Sequence, residues 1–314
     1  MIVADAHCDT VLRALDGHDL TCDDPDCHVD AAKLRSGGLD FQVFALWASV
    51  STLPKSGGER LLTLLAHLAS FTSLASQTAA PAKAYSDFER NLSQSKTSIV
   101  VGIEGAHCLP PGEASIDLCY DIGVRVITLC WNNSNWLATS AGQARDFPYG
   151  LTPLGRHAVR RMCERGIIVD LSHSSERTFW DVAQTCDRPF IASHSCAKGM
   201  RDHPRNLDDE QIRALAYANG VIGINFYRAF LTSGPSASIE DVIGHAEYII
   251  GLVGDDHVCL GSDFDGIPAG PKGLESASRL PALIDRLIER GHPESTVRKI
   301  AGENLIRVFR EVCG

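Results

Sequence analysis

No window of the sequence approaches about 18 consecutive apolar residues, so no membrane-spanning helix is predicted. Positive charge is also short: 29 Lys and Arg stand against 39 Asp and Glu, a formal net charge of -10. That balance argues against nucleic acid or an anionic membrane surface as partner, since both are recognised by clustered Lys and Arg. A small molecule is expected instead. Neither G-x-G-x-x-G nor G-x-x-x-x-G-K-[ST] opens a helical segment, which excludes the usual dinucleotide and nucleoside triphosphate loops. Cysteine is not scarce, but its eleven copies are odd in number and scattered singly, so no disulfide framework is expected and most are read as reduced and buried. The N-terminal "MIVADAHCD" lacks a basic stretch followed by a long apolar one, and a cytoplasmic location is the expectation. Linkers and low-complexity stretches are missing too, so residues 1–314 are expected to form one domain.

What the sequence does contain is a repeated unit. Eight short apolar, β-branched runs recur: "IVADAH" from residue 2, "DFQVFALWAS" from 40, "SIVVGIEG" from 98, "VRVITLCW" from 124, "IIVDLSHS" from 167, "PFIASHS" from 189, "GVIGINFY" from 220 and "HVCLGSDFDG" from 257. Segments of helical periodicity lie between most of them, for example from 58, 154, 208 and 238, and another runs from 293 to 312. Near-continuous apolar strands alternating with amphipathic helices predict a parallel sheet covered on its faces. Eight units predict closure into a (β/α)8 TIM-like barrel, with an open doubly wound sheet as the alternative.

In such a barrel the active site gathers at the carboxyl ends of the strands. Metal-competent residues recur there: His7 and Asp9 two apart after the first strand, Glu104 after the third, His173 after the fifth, His194 after the sixth and Asp263 after the eighth. One histidine ending a strand is more often structural, but six such groups on five strand ends are hard to assign to coincidence. Three imidazoles and three carboxylates exceed what a single tetrahedral zinc with an open position needs. They suit two cations sharing a carboxylate, able to hold a hydroxide between them and polarise a carbonyl, and the chemistry implied is hydrolysis.

The ordered set "DAHCDT", "GIEGAH", "DLSHSS", "ASHS", "RNLDDE", "INFY" and "GSDFDG" resembles the membrane (renal) dipeptidase family of zinc peptidases, peptidase family M19, in the amidohydrolase superfamily. The resemblance covers residue 3 to about residue 310. It implies two Zn2+ per chain, other divalent metals being acceptable to the same donors. His7, Asp9 and Glu104 would hold one, and Glu104 would bridge to a second held by His173 and His194. Asp263 would be the acid/base, expected on the last strand across the site from the first, with Asp265 ranked second. Arg205 would grip the terminal carboxylate of a dipeptide; read from the residues alone it would be solvated or paired with Asp208 or Asp209. Tyr227 would line the pocket. L,L- and L,D-dipeptides are the implied substrates, and a homodimer is implied by analogy only.

One position departs from the family pattern. Where many members carry a histidine after the fourth strand, held to steady the oxyanion, this chain has Trp131 in "ITLCWNNSNW". An indole N–H donates a hydrogen bond but carries no charge. Either Asn132 or Asn133 substitutes or Trp131 shapes the substrate-binding pocket, and a changed side-chain preference is expected before loss of activity. A deaminase or cyclic amide hydrolase on the same barrel, and a barrel holding metals without catalysis, are the competing functions. Three further features are discounted. Cys22, Cys27 and His28 lack a second pair for a structural zinc. His107 is read as loop support. The acidic segment 16–30, without EF-hand spacing, is read as a solvated lid or interface edge. Leu61, Leu64, Leu65 and Leu68 are read as core.

Overall fold

The computed structural model describes residues 1–50 and 57–314. Nine strands lie among them: β1 (Ala4–Cys8), β2 (Phe41–Trp47), β3 (Ala79–Pro81), β4 (Thr97–Glu104), β5 (Val124–Thr128), β6 (Ile168–Asp170), β7 (Ile191–Ser195), β8 (Val221–Ile224) and β9 (Val258–Leu260). Every pairing is parallel. β1 pairs with both β2 and β9, and β2 passes over β3 to pair with β4 along its whole length, Phe41 with Ser98 through Trp47 with Glu104. The ring β1–β2–β4–β5–β6–β7–β8–β9 therefore closes on itself as an eight-strand (β/α)8 barrel. The eight predicted runs supply these eight strands. β3, not foreseen, adds only an edge to β4, where Pro81 is tolerated because an edge residue needs no ladder N–H.

The strands are buried almost throughout, as both faces of a barrel sheet must be: one toward the lumen, one toward the helices. The helices between them start and stop on local signals. Thr152 accepts from Gly155 N ahead of Pro153–Arg165, and Asp208 with Gln211 forms a reciprocal cap on Asp209–Tyr217. On Gly57–Leu74, Leu64 and Leu68 are buried and Leu61 and Leu65 half-buried, as the periodicity predicts. The C-terminal segment is not one helix: Glu294–Arg298 passes through a wide π turn at Lys299–Glu303 into Asn304–Cys313. Among the described residues no helix is long and apolar enough to cross a membrane.

The last helix closes the amino-terminal end of the barrel. Phe309 packs edge-on against Phe41 at the start of β2, 5.0 Å between rings. Arg307 donates to the carbonyls of Asn219 and Asp256, which precede β8 and β9. One end of the barrel is thus plugged by apolar side chains, and the other is left to the loops that follow the strands.

Candidate active site

At that open end the metal-competent residues converge. His7 Nε2 lies 3.5 Å from Asp9 Oδ2, and Glu104 Oε1 lies 3.0 Å from His173 Nε2 and 3.7 Å from His194 Nε2. Among the groups of donor atoms that fall within 4.8 Å of one another are His7–Asp9–Glu104 and Glu104–His173–His194, with Glu104 common to both. All five residues are buried. His7 Nε2, His194 Nε2 and Asp9 Oδ1 have no hydrogen-bond partner, an arrangement that is costly at full burial unless some group satisfies it. These donors fit a pair of divalent cations by their chemistry, imidazole nitrogen and carboxylate oxygen in one buried cluster.

The imidazoles are oriented from behind. Ser193 Oγ donates to Asp170 Oδ2 at 2.6 Å, so its 2.8 Å contact with His194 Nδ1 must be one in which the ring donates. That leaves the His194 Nε2 lone pair facing Glu104. Asn132 Oδ1, 3.0 Å from His173 Nδ1, fixes the second ring in the same tautomer. Hydrogen bonds of this kind set ring orientation and basicity in metal sites. His173 and Asp263 lie three residues beyond the last residues of β6 and β9, at φ 68° and 62°. Positive φ in non-glycine residues is uncommon, and here it turns both side chains over the barrel mouth.

Electrostatics divides the cluster. Burial, then the charge of His7 and Arg205, holds His194 well below the usual imidazole range, and burial with Arg205 and His7 does the same for His173, so both are neutral and competent as ligands. Burial also pulls on His7, but Asp9, Glu104 and Asp263 around it outweigh that and raise it to about 10. Glu104 is pushed well up by burial and by Asp9. The same two causes raise Asp263 to about 7. Crowded carboxylates in a low-dielectric pocket favour any positive charge that enters.

Asp263 stands beside Asp9 rather than across from it, because ring closure pairs β9 directly with β1. Its Oδ2 accepts from Asn225 Nδ2 at 3.0 Å. Gly266 is required next to the two acids, since a Cβ there would collide with Asp9 Oδ2 and Asp263 Oδ1. Asp265, the second-ranked acid, is excluded from chemistry by its bonds. Its carboxylate accepts from Thr10 Oγ1, Arg13 Nε, His28 N and Val29 N. His28 Nδ1 in turn accepts from Asp265 N. These contacts pin the acidic segment 16–30 to the barrel lip and remove His28 from any grouping with Cys22 and Cys27.

Arg205 is 9% exposed and has no carboxylate partner among the described residues. Pairing with Asp208 or Asp209 does not occur: Asp208 caps its helix and Asp209 accepts from Tyr248. The guanidinium has one weak contact, Nη2 to His194 O at 3.5 Å, and lies 5.3 Å from the Phe230 ring. Its Nε is unpartnered. A cavity of about 330 Å³ brings Arg205 together with Asp9, Glu104, His173 and Asp263. Tyr227, Trp131 and Asn132 line it as well. Asn133 does not. It donates instead to Ser134 O, which leaves Asn132 as the amide at the cavity. His107 supports the loop by contacting Ala48 O.

Sequence reasoning missed Asn225, Asp170 and Trp47. The first two carried a signal, a lone polar residue inside an apolar run ("GINFY", "IIVDLS") that can only be buried there if bonded. Trp47 carried none.

A closed parallel barrel with buried imidazoles and carboxylates at its carboxyl end is the architecture of a metal site built on a (β/α)8 scaffold. The family model for membrane dipeptidase, peptidase family M19, matches residues 1–313, and the chain belongs to that family. It is similar to an uncharacterized dipeptidase of Schizosaccharomyces pombe, 40% identical over 226 residues, 71% of this chain and 54% of the relative. Dipeptidase tcpJ of Claviceps purpurea is 37% identical over 227 residues, 72% and 53% of the two chains. The chain thus spans about half the length of these curated relatives. A metallopeptidase from Rhodobacter sphaeroides, crystallised with a phosphinate mimic of the dipeptide L-Ala-D-Ala, superposes with a TM-score of 0.91 at 26% identity, covering 99% of each chain.

Proposed function

We propose that this protein is a binuclear zinc dipeptidase that hydrolyses L,L- and L,D-dipeptides. His7, Asp9 and Glu104 would hold one cation, and Glu104, His173 and His194 the other. When bound, the cations supply Lewis-acid polarisation of the amide carbonyl and an acidified water. The chain's own residues do the rest. Arg205 binds the C-terminal carboxylate through its planar fork and places the peptide bond over the cluster. Asp263, oriented by Asn225, takes a proton from the attacking water and returns it to the leaving amine, for which a carboxyl raised toward neutrality is suited. Trp47, Trp131 and Phe230 exclude bulk water from the other walls.

The observation that carries this reading is Arg205: a buried guanidinium with no ion-paired carboxylate among the described residues, in the same cavity as the donor cluster, calls for a substrate that brings its own carboxylate. An unsubstituted nucleobase brings none. The test is a mixed panel of L,L- and L,D-dipeptides incubated with zinc-loaded protein, products resolved by mass spectrometry and metal counted per chain. Cleavage with two metals per chain is expected. One metal per chain and no dipeptide cleaved would favour another amidohydrolase reaction.

A further inference from the structure

The ring order of the barrel gives the substrate a direction. From β2 to β7 the ring runs through β4, β5 and β6 one way and through β1, β9 and β8 the other, so the two strands are diametrically opposed. Arg205 follows β7 and touches the carbonyl of His194. The donor cluster lies between. A dipeptide anchored on Arg205 by its carboxylate, with its amide carbonyl at Glu104, has one residue left, which reaches roughly 3.5 Å further. That residue extends away from β7, toward the opposite wall at β2, against which a residue of the loop after β5 packs.

Two tryptophans form that wall. Trp47 ends β2, and Trp131 lies three residues beyond the end of β5. Their rings meet with centroids 4.9 Å apart at 61°, and both line the cavity. Each is held in place. Trp47 pairs in register with Glu104, and His107 Nε2 contacts the carbonyl of the next residue, Ala48, at 2.8 Å. The Trp131 carbonyl accepts from Ser140 Oγ at 2.5 Å, while the neighbouring Asn132 is fixed to His173. Gly105, at φ 83°, leaves room for the His107 ring and for the Trp131 side chain: a Cβ at Gly105 would sit 2.5 Å from His107 and 3.2 Å from Trp131 Cβ. A rigid aromatic surface loses little entropy when a ligand side chain lies on it. Arg205, on the opposite side, is the one Lys or Arg among the described lining residues, so the aromatic wall offers an acidic side chain no cation.

We propose that Trp47 and Trp131 seat the side chain of the substrate's N-terminal residue and make the enzyme selective for dipeptides in which that side chain is aromatic or large and apolar. The proposal rests on the dipeptidase reading above. The experiment compares kcat/KM for Phe-Gly, Leu-Gly, Ala-Gly and Asp-Gly on metal-loaded wild type and on Trp47→Ala and Trp131→Ala. Wild type is expected to favour Phe-Gly over Ala-Gly by about tenfold, the scale of aromatic contact plus pocket filling, with Asp-Gly poorest. In each variant the Phe-Gly to Ala-Gly ratio is expected to fall to within about twofold, mainly through KM, since uniform binding is what is removed. Should an alanine variant lose native circular dichroism, Trp47→Leu and Trp131→Leu carry the same comparison. Equal turnover of Phe-Gly and Ala-Gly by wild type, or a ratio that survives both substitutions, overturns the inference while leaving the dipeptidase reading intact. Cleavage of none of the four by protein holding its metals overturns both.

Discussion

The barrel buries two populations of carboxylate only a few residues apart. Asp5 and Asp170 lie within the strands and are saturated. Asp5 accepts from Ser262 N, Ser262 Oγ and Gln42 Nε2, and Asp170 accepts from Thr128 Oγ1, Ser172 N, Ser193 N and Ser193 Oγ. Asp9, Glu104 and Asp263 lie at the mouth and are starved: Asp263 has one side-chain donor, and Asp9 Oδ1 has none. Asp9 and Glu104 are buried like Asp5 and Asp170, and Asp263 is half-buried, so burial alone does not mark function. The difference is whether the protein supplies the partners. Saturated acids tie strands together; starved ones leave capacity for a cation, a water or a substrate.

Asp263→Asn breaks the comparison most severely on the functional side. Turnover of a dipeptide is expected to fall by about 10³-fold, the range for losing an acid/base group, with metal content and melting temperature near wild type. Near-normal turnover would refute the acid/base role. On the scaffold side, Asp170→Ala strips four donors of their acceptor and is expected to cost about 3 kcal/mol in urea unfolding, since buried unsatisfied groups carry their full desolvation penalty. A cost below that of a surface substitution would erase the distinction between the two groups. Arg205→Lys sharpens it: a point charge cannot reproduce the fork, and KM for a dipeptide is expected to rise about a hundredfold, with the gap closing for the corresponding dipeptide amide. The smallest effect lies far from the site, at Asp255, where the hydrogen bond from Lys299, then that from Thr296, holds the carboxyl below its usual value. Its folded pKa is lowered, so its contribution is present above the unfolded carboxylate pKa and lost as pH falls through the folded one. Asp255→Asn is expected to cost about 0.5 kcal/mol at neutral pH, discounted for solvent screening, and nothing once both states are protonated.

How much of this was legible in the sequence follows the same division. The eight barrel strands could be read because each is a near-continuous apolar run, a pattern that a sheet buried on both faces imposes. The metal-competent residues could be read because they interrupt those runs at one end. Helices such as Tyr85–Ser93, Glu113–Ile122, Glu176–Thr185 and Leu280–Glu289 could not. Each is 9 or 10 residues long with only two to four buried positions, too few for a clear period. In the sequence Asp263 and Asp265 are two apart and both acidic, and only the "FDG" turn signal favours the first. What separates them is that residues 10, 13, 28 and 29 reach Asp265 from the other end of the chain, contacts that only ring closure creates. The seating of Trp47 beside Trp131 is likewise a product of the β2–β4 register, and no local pattern announces it.

The most direct test of the account is a matched pair: hydrolysis of Phe-Gly and of its C-terminal amide, Phe-Gly-NH2, by zinc-loaded protein at neutral pH. The unpaired Arg205 and the starved carboxylates together call for rapid cleavage of the free dipeptide and loss of about two orders of magnitude in kcat/KM for the amide. Equal cleavage of the two would contradict the role of Arg205, and cleavage of neither by protein carrying two metals would contradict the account as a whole.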